Sequence, residues 1–190
     1  MNMRARIPRL SALGVSVLAL GILGCGGERT QSTGAPVILS LTDFDGLPFQ
    51  VSVNTAAQVG AVTVDSLTLE NVPKDPRGTT SNLMSIELDA VEITYTRVDS
   101  GTRVPPSRVR SIFSLVPVGG TAILENLEIL GLEQLLNPPL SDLLFQNGGF
   151  DQETGSPLIV IDVNIRFFGR TLAGDEVASG FDSFRVEFVP

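Results

Sequence analysis

Residues 157–168, PLIVIDVNIRFF, alternate along the chain with a period of two. Ile159, Ile161, Val163, Ile165 and Phe167 fall on one face; Val160, Asp162, Asn164, Arg166 and Phe168 fall on the other. Successive side chains of an extended chain point to opposite sides, so this run predicts a β-strand with one buried face. Its β-branched residues suit a pleated, half-buried surface.

The same alternation recurs on both sides of this stretch. Val37, Leu39 and Leu41 form one run, and Leu47, Phe49, Val51 and Val53 another, with Gln50 and Ser52 facing outward. Val62 and Val64 are followed by Leu67 and Leu69, a phase slip at Asp65–Ser66 that predicts a bulge. Met84, Ile86 and Leu88 slip at Asp89–Ala90 before Val91, Ile93 and Tyr95 resume. Residues 109–116 and 121–130 read as further strands, and Phe184, Val186 and Phe188 face inward on the last. Turn chemistry separates them: NVPKDPRGTT at 71–80, Asp99–Ser100–Gly101, Pro117 and Gly119–Gly120. About seven to nine short strands at this spacing predict an all-β, antiparallel sandwich. In strand number and size the pattern resembles immunoglobulin-like and fibronectin-type domains, without the paired cysteines and core Trp of antibody domains.

One segment departs from this period. Leu132, Leu135, Leu136, Leu140, Leu143 and Leu144 recur at helical spacing, interrupted by Pro138–Pro139, and Ser141 is placed to cap a second short helix. The expectation is a plug over one end of the sandwich. The alternative is a gate, Leu132–Phe145, over a cavity for a lipid or another apolar ligand.

The first 24 residues have a different character. Arg4, Arg6 and Arg9 precede an apolar run, Leu10 to Leu23, followed by Gly24–Cys25–Gly26–Gly27. The run is short for a bilayer span and fits the apolar region of a secretory signal. Ile22–Leu23–Gly24–Cys25 resembles the lipobox of bacterial lipoproteins, with the only cysteine of the chain at the position that becomes acylated. That resemblance implies cleavage before Cys25, a lipid anchor on its sulfur, and export to the cell envelope. It also implies the outer rather than the inner membrane where both exist, because Gly26, not Asp, follows the cysteine. The expected organisation is a signal peptide at 1–24, a polar Gly-rich tether at 25–35 and one sandwich domain at 36–190.

Composition narrows the chemistry. Three of the 13 basic residues lie in the leader, leaving ten against 21 acids, a net charge of −11 from residue 25 onward. Such a surface repels phosphate backbones, so nucleic acid is not an expected partner. The chain has no histidine, which removes His-based triads and His-ligated zinc from consideration. A Ser–Lys dyad would need Lys74, the only lysine, which stands in a Pro-flanked turn. Candidate carboxylates for hydrolysis are Asp43 with Asp45, Asp99, Asp151 with Glu153, and Asp175 with Glu176. Asp43-Phe-Asp45-Gly46 and Asp151-Gln-Glu153-Thr-Gly155 also offer oxygen ligands for calcium, without an EF-hand spacing. All lie at strand ends or in turns, where acids also serve local hydrogen bonding.

The expectation is therefore a non-enzymatic, lipid-anchored envelope protein with no cofactor or metal. Its contacts are the membrane, through Cys25, and a protein partner in the envelope. A gated apolar-ligand carrier and a carboxylate hydrolase are the alternatives.

Overall fold

The computed structural model describes residues 34–190. The expected signal peptide, Cys25 and nearly all of the expected tether lie outside the described residues.

Among the described residues nine strands form two sheets. They are β1 (Val37–Asp45), β2 (Gln50–Ser52), β3 (Ala61–Pro73), β4 (Ile86–Arg97), β5 (Arg108–Val116), β6 (Thr121–Gly131), β7 (Ile159–Thr171), β8 (Glu176–Ala178) and β9 (Asp182–Val189). One sheet has the order β1-β3-β6; the other runs β2-β9-β7-β4-β5, with β8 beside the end of β7. All pairings are antiparallel except β2 with β9.

β7 is the centre of the larger sheet. Ile159, Ile161, Val163, Ile165 and Phe167 are all fully buried, as their alternation requires. They meet Leu39, Val64, Leu67 and Leu69 of the smaller sheet in one apolar core. The expected slip at Asp89–Ala90 is a register shift between Leu88 and Ala90 in both of β4's ladders. In β3 the inward face also changes phase between Val64 and Leu67, but the ladder shifts elsewhere, at Leu41/Asp43 and Val62/Thr63. The irregular residue there is Asn126 on β6, between Glu125 and Leu127 and so opposite Asp65, at φ 53°. Asparagine tolerates this left-handed conformation better than most side chains.

The 47–53 run departs from its strand period. Only Gln50–Ser52 is extended, and the chain turns into α1 (Val53–Val59). Ser52 is the cap: its Oγ accepts from the Thr55 N–H at 3.4 Å and donates to the Pro190 carbonyl at 2.9 Å. Gly60 ends the helix at φ 93°, a conformation natural to glycine. Leu47 and Phe49, expected inside, are exposed.

The leucine segment covers the same end of the sandwich as α1. It contains α2 (Leu132–Leu135) and two single 3-10 turns, Leu140–Leu143 and Phe145–Asn147. Leu135, Leu140 and Leu143 are fully buried and Leu144 nearly so, whereas Leu132, Leu136 and Phe145 face solvent. Ser141 lies inside the first 3-10 turn rather than capping it; Pro139 holds the cap position. At the opposite end, Val37 pairs with Pro73, Asn71 bonds to Gly120, and Leu172 bonds to Ser85. The described chain therefore enters the sandwich at the end farthest from the leucine plug.

Candidate docking groove

β5 and β6 are consecutive strands in different sheets, each at a free edge. Their alternation explains what lies between them. On β5, Arg108, Arg110, Ile112 and Ser114 are half-buried and turn toward β6, while Val109, Phe113 and Leu115 project into solvent. The more apolar face of this strand is thus the outer one, with Phe113 84% exposed. The inner positions can be polar because the sheets part here. The Arg108 Nη1–Glu128 Oε1 contact is 2.5 Å and Arg110 reaches the same carboxylate at 3.5 Å, so charge bridges the two sheets where apolar packing stops.

Below that bridge the sheets enclose an open lateral groove of about 410 Å³. Arg110 to Ser114 form one wall and Ile123 to Leu127 the other. Ile112 and Leu124, partly buried against the core, give it an apolar floor. Phe113 stands on one lip and the 62%-exposed Ile123 on the other. Asn126 re-aims β6 so that Leu127 points inward beyond the kink and Glu125 outward before it. A second groove of about 300 Å³ lies between β7 and β8 on the outer face of the larger sheet. Beside it the Arg166 guanidinium lies 5.0 Å from the centroids of both Phe168 and Phe181.

The candidate carboxylates fall in separate places. Asp99, Asp151 and Glu153 do come together at the plugged end, around Arg97, whose side chain is only 2% exposed. Arg97 holds Asp99 at 2.5 Å and Asp151 at 2.8 Å, and Arg103 links Asp151 to Asp142 at 3.1 and 2.7 Å. Glu153 accepts from the Thr102 hydroxyl and the backbone N–H groups of Thr102 and Arg103. Burial opposes ionisation of Asp151. Arg97, Thr154 and the Glu153 N–H outweigh it and hold the carboxyl far below its ordinary range. Asp99 is lowered in the same way, against its burial, by Arg97 and the N–H groups of Val160 and Gly101. Glu153, bonded first by the Thr102 hydroxyl, falls to about 2. Such carboxylates are anchors: each stays ionised and is occupied by a donor, so none is poised as a general acid. They fasten the 98–107 and 148–158 loops to the plug.

The remaining acids do not join them. Asp43 and Asp45 end β1, with Asp45 bonded to the Gly46 N–H. Asp175 closes the β7–β8 turn on Thr171, and Glu176 begins β8. Among the described residues no group of three or more His, Cys, Asp or Glu side chains is arranged to hold a metal ion.

The residue pattern at 109–116 marks β5 as a strand but leaves its inverted face open. The signal was present: in RVRSIFSLV the two arginines share a face with Ile112, and Phe113 and Leu115 share the other. Comparison with protein-family models, with curated proteins and with solved structures returned no match.

Proposed function

We propose that this chain is a non-enzymatic docking module of the cell envelope. It would be an immunoglobulin-like sandwich, held to the membrane by lipid on Cys25, that takes an extended segment of a partner protein into the β5/β6 groove. The observation that carries this reading is the pair of free edges flanking an apolar floor. β5 bonds only to β4 and β6 only to β3, so each presents unpaired main-chain donors and acceptors to an incoming strand. Exposed Phe113, Val109, Leu115 and Ile123 offer apolar contacts alongside them. Edge strands left to solvent are usually shortened, charged or bulged; β5 carries one register shift, between Ser111 and Ser114, but no charge from Ser111 to Val116.

The anchor is supported by the leader and by Cys25 at the end of its apolar run. Two other observations favour docking over the alternatives. The carboxylates nearest one another are engaged by arginines and backbone N–H groups. Leu135, Leu140, Leu143 and Leu144 of the Leu132–Phe145 segment are buried in the core, and neither groove is lined by that segment.

Affinity capture from the native envelope tests the reading. The wild-type chain should retain a partner that the Phe113→Glu/Ile123→Glu variant loses, with thermal unfolding unchanged because both side chains are exposed. The same proteins captured by both forms would refute it.

A further inference from the structure

The sandwich has two unlike ends. The plugged end carries α1, α2 and the Arg97 cluster. The end at which the chain enters is built from the 73–85 connection, the 117–120 turn and the 172–175 turn, and it presents leucines at its tips. Leu83, in the 3-10 turn Asn82–Met84, is 57% exposed, and Leu172, in the β7–β8 turn, is 47% exposed. These tips hold each other in place: the Leu172 N–H donates to the Ser85 carbonyl at 2.9 Å, and the Ala173 N–H to the Leu83 carbonyl at 3.0 Å. Ile38 and Val72, direct cross-strand partners at the same end, are also exposed.

Where the chain leaves the described domain selects what can cover these residues. Gly34 and Pro36 lie at this end, with the Pro36 carbonyl accepting from the Lys74 N–H at 2.9 Å. Gly34 stands nine positions after Cys25, a path of at most about 32 Å however it is arranged. β3 and β7 each run for 13 residues along the long axis, which is about 43 Å at some 3.3 Å per residue. A domain held at Cys25 therefore cannot invert and rest its plugged end on the bilayer. Its entry end is the one within reach.

Resting on the reading of Cys25 as the anchor, we propose that the entry end is a membrane-contact face and that Leu83 and Leu172 enter the lipid interface. Lys74, Asp75, Arg77 and Asp175 share this end, so neither sign of charge dominates. The net charge of −11 beyond the leader disfavours an anionic surface. The occupant is accordingly a zwitterionic bilayer, gripped by apolar contact. Two half-exposed leucines bind weakly alone, but the tether raises their local concentration at the bilayer.

The chain has no tryptophan, so single-Trp variants report one position each. Full-length Leu83→Trp, Leu172→Trp and Leu136→Trp are reconstituted into phosphatidylcholine vesicles with brominated acyl chains. Leu136, 49% exposed at the plugged end, is the control. Emission from positions 83 and 172 should shift to the blue and be quenched by bromine, while position 136 stays as in detergent-free buffer. Quenching at 136 equal to or above that at 83 and 172, or none at either entry-end site, overturns the proposal. If the chain fails to float with vesicles, the anchor reading falls on its own. The same variants are then coupled through the Cys25 thiol to phosphatidylcholine vesicles bearing a maleimide lipid, which restores the link from Cys25 to Gly34. Quenching at 83 and 172 alone then upholds the contact face, and its absence overturns it.

Discussion

Ser52 shows how much one side chain can depend on the element it ends. On an outward strand position it would be interchangeable with alanine. At the head of α1 it supplies one orphan N–H with an acceptor and ties the last residue of the chain to the first helix. Ser52→Ala should therefore lower stability by about 1 kcal/mol, the usual cost of a lost cap. Ile161→Ala, in the fully buried row of β7, should cost about 2–5 kcal/mol. Urea titrations of the two variants check both, and equal losses would contradict this placement of the core. The Arg97 cluster makes a prediction of a different kind. Asp99, Asp151 and Glu153 have lower pKa values in the folded state than in the unfolded chain. Their contribution is full above the ordinary carboxylate range and is lost as pH falls through the folded values. Asp182, raised by burial, acts in the opposite sense but is the one carboxylate so raised among the described residues. Unfolding midpoints should thus decline from about pH 4 toward pH 2, the value to which Glu153 is lowered.

At the scale of elements, what was legible in the residues followed from period and from burial on one side. β7, β4 with its bulge, and β9 are long and one-faced, so alternation alone marks them. α1 was hidden because Val51 and Val53 stay buried while the backbone changes from strand to helix beneath them. β8 has three residues, too few to show a period. The inverted face of β5 was missed for another reason: facing is set by the partner sheet, and Glu128, which draws in Arg108 and Arg110, lies 20 residues from Arg108 in sequence. The leucine spacing marks an apolar segment with helical turns, but which leucines face inward depends on the break at Pro138–Pro139. Leu140→Ala should accordingly lower stability by about 2–5 kcal/mol, and Leu136→Ala by less than about 0.5. Amides of 135–144 should exchange slowly whether or not lipid extract is added, measured by hydrogen exchange. Protection that appears only with lipid would replace the plug with a gate.

For the whole molecule, the all-β class, with 52% of the described residues in strands and two sheets, follows from composition and alternation. The groove does not, because it arises from where two sheets diverge. The proposed anchor belongs to this scale as well. Cys25→Ser should leave the chain uncleaved or displaced from the membrane fraction, read by fractionation and intact mass, since no second cysteine exists to take its place. Retention of a lipid-bearing, cleaved chain would refute that assignment. The order β1-β3-β6 has one more consequence, a mechanical one. Any pull between the entry point at Val37 and a partner seated against β6 runs lengthwise along β1 and is handed to β3 through their antiparallel ladder. Ladder hydrogen bonds lie across the strands, so such a load shears the whole row at once instead of peeling it bond by bond. A domain without a disulfide to brace it would in this way resist tension along the very direction in which the proposed tether delivers it.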